Sequence, residues 1–204
     1  MIKNLILGLK LLEEVFIIMS VYKVKEMYDY IKMVNGGEIT SNKPINIFGF
    51  CAQISLETGY LEKYNHFNLA GIKCTKSWVD NGGECFKSKT PEDFGKGFVD
   101  TVGSFRKYND TDHFIKDYSR LIHNYYTKCS NNYDNVFGYF AGLHGIWATD
   151  RSYFSKLCKV SKILAPHLLG IGWLQSLRES FNIALERKTL EDWMIKEIKN
   201  VFEF

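Results

Sequence analysis

The segment over residues 45–59 constrains the fold of this chain more than any other. It has apolar residues at helical spacing and ends at a glycine. Apolar residues recur along it at helical spacing, at Ile45, Phe48, Ala52 and Leu56. Pro44 suits the first turn of such a helix, where a missing N–H costs nothing. Gly59 suits the position just past the helix end. The segment therefore predicts a helix with one face in the core and an abrupt end.

Glu57 lies on the last turn of this predicted helix, directly after the core residue Leu56. A carboxylate there is partly walled by apolar groups and sits at the negative end of the helix dipole, and both effects raise a carboxyl pKa. A carboxyl group that stays protonated near neutral pH can act as a general acid. The same pattern also fits an ordinary solvated glutamate beside a core leucine.

Four segments stand in an order that resembles one known family. They are Ala52-Gln53-x-x-Leu56-Glu57-x-Gly59, Asn68-Leu69-x-Gly71-Ile72-Lys73, Phe105-Arg106-Lys107-Tyr108 and Ala148-Thr149-Asp150-x-x-Tyr153-x-x-Lys156-Leu157. Together they resemble the glucosaminidase family of peptidoglycan hydrolases, glycoside hydrolase family 73, from about residue 40 to residue 165. The resemblance implies a mostly α (α+β), lysozyme-like domain in which a helical lobe and a small β-hairpin lobe flank a substrate groove.

The resemblance also implies two catalytic carboxylates. Glu57 would be the general acid, and Glu92, thirteen positions before Phe105, would activate a water or stabilise the oxocarbenium-like transition state. The local context Pro91-Glu92-Asp93 departs from the family pattern, so Glu84 and Asp93 remain alternatives, as does a purely solvated Glu92. Turn residues between short apolar pieces over residues 78–102 independently favour a hairpin or an irregular loop.

Five further residues are candidates for substrate binding: Tyr60, Asn68, Trp78, Trp147 and Asp150. Trp147 stands where the family usually has a tyrosine. Its indole can still stack on a sugar ring, but it cannot act as a phenol. Asp150 also has a structural interpretation, because Thr149-Asp150 fits the N-cap of a helix over residues 151–165. Two more helices are predicted, one capped by Asp110 or Thr111 and one over residues 136–143.

Composition narrows the function classes. The 204 residues carry a net charge of only +3 with scattered basic residues, so nucleic-acid binding has no support. The five histidines and five cysteines show no metal-binding spacing, and we expect no metal and no cofactor. Cys74 and Cys85 bracket a loop and could pair, although free thiols are the favoured expectation.

Both ends of the chain are predicted to be helical extensions. Residues 1–38 should form two helices packed on the domain at residues 39–165, the first through Leu5, Leu9, Leu12 and Phe16, with no membrane span. Residues 166–204 should form further helices, separated from the domain at Pro166, with Thr189 and Asp192 in a capping box.

The route to the cell wall is a further prediction. The first nineteen residues do not resemble an export signal, and no wall-binding repeats are visible. We therefore expect a phage lytic protein, carried in the virion or released at host lysis, with secretion as the alternative. The C-terminal helices would bind phage structural proteins, self-associate, or pack on their own domain. A lytic transglycosylase or muramidase of the same fold and a non-catalytic virion structural protein are the rival functions.

Overall fold

The described part of the chain forms a set of helices and a two-stranded antiparallel hairpin. The computed structural model describes the backbone of residues 2–40, 42–93 and 98–204 and the side chains of residues 15–40, 42–90 and 99–204. The elements in chain order are α1 (Ile2–Val34), a 3₁₀ turn (Glu38–Thr40), α2 (Ile47–Thr58), α3 (Lys76–Asp80), β1 (Glu84–Asp93), β2 (Phe98–Lys107), α4 (Thr111–Tyr125), α5 (Thr127–Ser130), α6 (Val136–Leu143), α7 (Tyr153–Leu168), α8 (Trp173–Glu186) and α9 (Asp192–Phe202).

Helix α2 is the centre of the fold, with nine of its twelve residues buried. It begins later than the sequence predicts, because Asn46 is its N-cap and accepts a hydrogen bond from the Gly49 amide at 2.6 Å. Pro44 therefore precedes the helix, and its predicted place in the first turn is wrong. At the other end Gly59 adopts the predicted left-handed conformation, with φ of 60°, and its amide bonds the Ser55 carbonyl.

Aromatic residues fill the core between α2, α4, α6 and α7. The rings of Phe50 and Tyr118 meet edge to face at 4.9 Å, and Phe114 packs beside them. Asp110 caps α4 as predicted, since its carboxylate accepts a bond from the His113 amide at 2.8 Å. Helix α6 has the predicted bounds, and seven of its eight residues are buried.

The predicted hairpin lobe is present as the antiparallel pair β1–β2, in register from Glu84 opposite Lys107 to Asp93 opposite Phe98. A disulfide between Cys74 and Cys85, with Cα atoms 6.0 Å apart, ties the preceding loop to the base of β1. The expectation of free thiols at these two positions is therefore wrong. The remaining cysteines are free and buried, at positions 51, 129 and 158.

The N-terminal segment is one helix, not two, because α1 runs without a break from Ile2 to Val34. Its later turns bury Val21, Val24 and Ile31 against the domain. Phe16 is 57% exposed, so its predicted packing on the domain is wrong. The other residues of that predicted face lie outside the described side chains, at positions 5, 9 and 12.

The C-terminal segment also differs in detail from the prediction. Helix α7 continues through Pro166 to Leu168, so the proline does not end it. Thr189 donates to the Ala184 carbonyl at 3.1 Å instead of forming a capping box, and α9 begins without a side-chain cap. Five apolar side chains of α8 and α9 are buried against α6 and α7, those of Leu177, Phe181, Met194, Ile198 and Phe202.

Candidate active site

The end of α2 presents Glu57 between two other parts of the chain. Tyr153, at the start of α7, donates its hydroxyl proton to Glu57 Oε1 over 2.6 Å. On the other side, Glu57 Oε2 lies 3.8 Å from the place that a Cβ atom on Gly71 would occupy. One carboxyl oxygen therefore faces α7 and the other faces the loop that contains Gly71.

The environment of Glu57 raises its pKa above the ordinary value for a glutamate. Burial of the carboxyl group is the main cause, while the hydrogen bond from Tyr153 and the positive charge of Lys156 act in the opposite direction. The residue as a whole still reaches solvent, so the carboxyl group is both partly desolvated and accessible. Burial also raises the pKa of Tyr153 well above its usual range, so its phenol remains a proton donor in the bond.

A buried polar chain lies behind this carboxyl group. Gln53, one turn before Glu57 on α2, accepts a hydrogen bond from the Tyr118 hydroxyl, which also bonds the Tyr139 hydroxyl. The buried Gln53 side chain also faces the Tyr153 hydroxyl, and this contact acts against the burial that raises the pKa of Tyr153. Gln53 thus connects the core hydroxyl groups to Tyr153, which bonds Glu57.

A cavity of about 1090 Å³ opens beside the Gly71 loop, between the hairpin lobe and the helical lobe. Gly71 and Lys73 line it from the loop, Trp78 and Arg106 from the hairpin side, and Trp147 from the helical side. Such a volume can accommodate a ligand of several rings. The carboxyl group of Glu57 does not line this cavity itself and adjoins it through Gly71.

Trp78 is fixed on the hairpin side of the cavity. Its indole Nε1 donates to the Glu84 carbonyl at 2.9 Å, and the Arg106 guanidinium lies 4.8 Å from its ring centre. Gly83 is required beside it, since a Cβ there would lie 2.2 Å from the indole. Trp78 therefore lines the cavity, and its binding of substrate stays a prediction.

Trp147 is fixed on the helical side. Its Nε1 donates to the Ala70 carbonyl at 3.3 Å, and its ring packs on Tyr118 and Tyr126 at centroid distances of 5.6 and 5.1 Å. The two predicted tryptophans therefore stand on opposite lobes of one cavity.

Asn68 does not reach the groove. Its side chain is buried and bonds three backbone groups, the Ile72 amide at 2.8 Å, the Ile72 carbonyl at 3.0 Å and the Arg106 carbonyl at 2.9 Å. These bonds hold the Gly71 loop against β2. The geometry gives Asn68 a positioning role in place of the predicted sugar contact.

Two other predicted binding residues lie apart from the cavity lining. Asp150 accepts bonds from the Ser152 amide at 2.8 Å and from Lys156 Nζ at 2.6 Å, and Lys156 holds the pKa of this carboxyl below its usual value. Because α7 begins at Tyr153, Asp150 caps the turn before the helix and not the predicted helix from residue 151. Tyr60 is half-buried against the core in a left-handed backbone conformation.

The candidates for the second carboxylate stand at the two ends of β1. The backbones of Glu92 and Asp93 pair with Val99 and Phe98, and their side chains lie outside the described residues. Glu84 is exposed and bonds Lys107 Nζ at 2.6 Å, which lowers the pKa of its carboxyl. Glu92 lies eight positions after Glu84 on the strand, about 26 Å away, so the two are not interchangeable in space.

Two contributors to the site were not assigned a role from the sequence. Tyr153 is part of the last resembling segment, three positions after Asp150, and that spacing was the available signal. Asp117 is buried and accepts bonds from Arg106 at 2.6 Å, Tyr108 at 2.7 Å and Arg120 at 2.7 Å. This cluster joins the base of the hairpin to α4.

A helical lobe and a small hairpin lobe that flank a cavity, with a glutamate at the end of the central helix, define a lysozyme-like glycoside hydrolase fold. The chain belongs to the glucosaminidase family, since the family model described as mannosyl-glycoprotein endo-beta-N-acetylglucosaminidase matches residues 41–165. It is therefore a glycoside hydrolase. No curated protein matches the sequence significantly.

Solved structures share this fold. A peptidoglycan hydrolase mutant from Sphingomonas sp. A1 aligns with a TM-score of 0.57 and 22% identity, over 79% of this chain and 98% of that one. A C-terminally truncated glycoside hydrolase domain of FlgJ from Salmonella typhimurium aligns with a TM-score of 0.50 and 19% identity, over 71% and 95%. Within the part of the chain that the structure describes, no helix is long and apolar enough to cross a bilayer, and no group of three or more potential ligands is placed to hold a metal.

Proposed function

We propose that this protein hydrolyses the β-1,4 bond between N-acetylglucosamine and N-acetylmuramic acid in bacterial peptidoglycan, with Glu57 as the general acid. The observation that carries the proposal is the position of Glu57, held by Tyr153 at 2.6 Å and adjoining a cavity of about 1090 Å³ through Gly71. Peptidoglycan is the substrate named for the similar Sphingomonas structure.

The hydrogen bond from Tyr153 determines which oxygen of Glu57 carries the acidic proton. Oε1 already accepts the Tyr153 proton, so the proton of a neutral Glu57 resides on Oε2. That oxygen faces the Gly71 loop and hence the side from which a glycosidic oxygen would approach. Burial raises the pKa of Glu57 and favours the protonated form before reaction, and transfer of this proton to the leaving oxygen breaks the bond.

The two tryptophans supply platforms for the sugar rings. Both indole N–H groups already bond backbone carbonyls, which fixes the ring planes before substrate arrives. Stacking on Trp78 and Trp147 from opposite lobes would hold a glycan strand across the cavity.

We propose Glu92 as the second carboxylate, because it stands thirteen positions before Phe105, as in the family that the chain resembles, and because Glu84 is engaged in an exposed ion pair with Lys107. It would activate the attacking water or stabilise positive charge on the sugar ring. Alternatively, the N-acetyl group of the substrate could act as the nucleophile, and Glu92 would then matter less.

A lytic transglycosylase or muramidase of the same fold is the rival candidate. One observation favours it. Among the described side chains, Glu57 is the carboxylate that lies beside the cavity. A transglycosylase needs only a single acid. The test is mass spectrometry of muropeptides after digestion of purified peptidoglycan, with Glu57→Gln as the inactive control. We expect hydrated reducing ends on N-acetylglucosamine. Products with 1,6-anhydro ends would assign a transglycosylase, and reducing N-acetylmuramic acid would assign a muramidase.

For delivery we propose release of the enzyme at host lysis during phage growth. The burial of α8 and α9 against α6 and α7 supports a free enzyme over one whose C-terminal helices bind a virion partner. The disulfide in the hairpin lobe is typical of proteins that act outside a reducing cytoplasm. Light scattering of the purified protein should give a monomer. Assembly through the C-terminal helices would favour the virion route, and recovery of a processed chain from uninfected cells would favour secretion.

A further inference from the structure

The cavity beside Glu57 carries an uneven charge. Two arginines line it, Arg106 and Arg120. Among the residues that the structure describes, its lining contains no aspartate or glutamate. A neutral glycan strand does not require such a surface, because its hydroxyl and acetamido groups carry no charge. The lining therefore indicates that part of the ligand is anionic.

Arg120 is the lining residue best placed to bind an anion. Arg106 is buried and bonds Asp117 at 2.6 Å, whereas the side chain of Arg120 is 44% exposed. The bond from Arg120 Nη2 to Asp117 and the contact with the Tyr125 hydroxyl leave further N–H donors among the five of the guanidinium. Two arginines share this one buried carboxylate, so the cluster keeps one positive charge in excess. Asp117 also fixes the direction of the Arg120 side chain.

We propose that the Arg120 end of the cavity is a subsite for a carboxylate of the stem peptide that peptidoglycan carries on its muramic acid units. This inference rests on the proposed function and adds a substrate preference to it. Only the muramic acid units carry a peptide, and a peptide whose terminus is not used in a cross-link ends in a free carboxylate. A guanidinium binds such a group through paired, charge-assisted hydrogen bonds. The enzyme therefore prefers peptide-bearing strands to bare glycan.

The test compares kcat/KM for peptidoglycan strands that carry stem peptides and for the same strands after an amidase has removed the peptides and the lactyl carboxylates exposed by that cleavage have been converted to neutral amides. Both samples are first freed of wall phosphate polymers. We expect the wild-type protein to favour the peptide-bearing strands by about tenfold, the effect of one charged hydrogen-bonded contact. Arg120→Gln should lower this ratio toward one. Arg120→Lys should retain only part of it, because the positive charge remains but the paired hydrogen bonds of the guanidinium are lost.

Lys116→Gln is the matched control, since Lys116 is exposed on the same helix and does not line the cavity. It should keep the wild-type ratio. A ratio near one in the wild-type protein, or equal effects of the Arg120 and Lys116 variants, would overturn the subsite while leaving wall hydrolysis in place. Failure of the wild-type protein to cleave either sample would refute the proposed function and this inference with it.

Two further measurements do not depend on the folding of a variant. Free stem peptide should inhibit the wild-type protein, and the same peptide with its carboxylates amidated should not; equal inhibition would overturn the assignment. Wall phosphate polymers are another source of anions, so a third sample retains them. A preference that appears only in that sample would assign the site to phosphate and overturn the carboxylate assignment.

Discussion

Replacement of Glu57 by glutamine should abolish catalysis and leave the fold intact. The amide has the same shape and keeps an oxygen that can accept the 2.6 Å bond from Tyr153. It has no acidic proton to deliver from the Oε2 side, toward Gly71. Loss of a positioned general acid lowers the rate on the order of 10²–10⁴-fold.

The stability of this variant follows from the direction of the pKa shift. Burial raises the pKa of Glu57 in the folded state, so ionisation of the carboxyl group disfavours folding at pH values above that pKa. Glutamine removes the ionisable group, and Tm at neutral pH should be unchanged or slightly higher. Glu62→Gln is the matched control, because Glu62 lies close in sequence but bonds Ser20 and Lys23 at the surface.

The assay is loss of turbidity of a peptidoglycan suspension, with circular dichroism and Tm recorded for each protein. We expect the Glu62 variant to lyse walls at the wild-type rate. A folded Glu57→Gln protein that retains more than about a tenth of wild-type activity would show that Glu57 is not the acid, since even the smallest expected loss is a hundredfold.

Three other perturbations test the remaining parts of the site. Glu92→Gln should reduce turnover by more than Glu84→Gln or Asp93→Asn does, and a larger effect of either neighbour in parallel turbidity assays would reassign the second carboxylate. Tyr153→Phe removes a hydrogen bond that lowers the pKa of Glu57, so the alkaline limb of the kcat/KM profile should move to higher pH; an unmoved limb would contradict the contact. Reduction of the hairpin disulfide, whose cysteines are 11 positions apart, should lower stability by up to about 2.7 kcal/mol in thermal unfolding, and an unchanged Tm would show that it contributes nothing.

Features encoded by local sequence were predicted well. Gly59 ends α2 in the left-handed conformation, Asp110 caps α4, and α6 has the predicted bounds, because each depends on residues within one or two turns. The turn residues left a hairpin or an irregular loop open, the family resemblance implied the hairpin lobe, and the hairpin is confirmed.

Features that depend on distant contacts were predicted less well. Asn68 was expected in the groove, but three backbone groups, one of them 38 positions away, bind its side chain in the interior. Pro166 was expected to end a helix, yet α7 continues through it. Tyr153 was seen only as part of a pattern, because its partner Glu57 lies 96 positions away. The spacing of residues along the sequence does not show which distant residues meet in the folded chain.

The anchoring of the hairpin at its base has a geometric consequence. Arg106, opposite Cys85 in the register, is held to α4 by Asp117, and the disulfide holds Cys85 itself. From this base β1 extends ten residues, about 33 Å, and acts as a lever arm. A rotation of about 5° at the base moves the far end by about 3 Å. Retaining and inverting glycosidases differ in carboxyl separation by about 1–4 Å. Under the proposal that Glu92 is the second carboxylate, the Arg106–Asp117 anchor would set the separation of the two carboxyl groups and with it the stereochemical outcome.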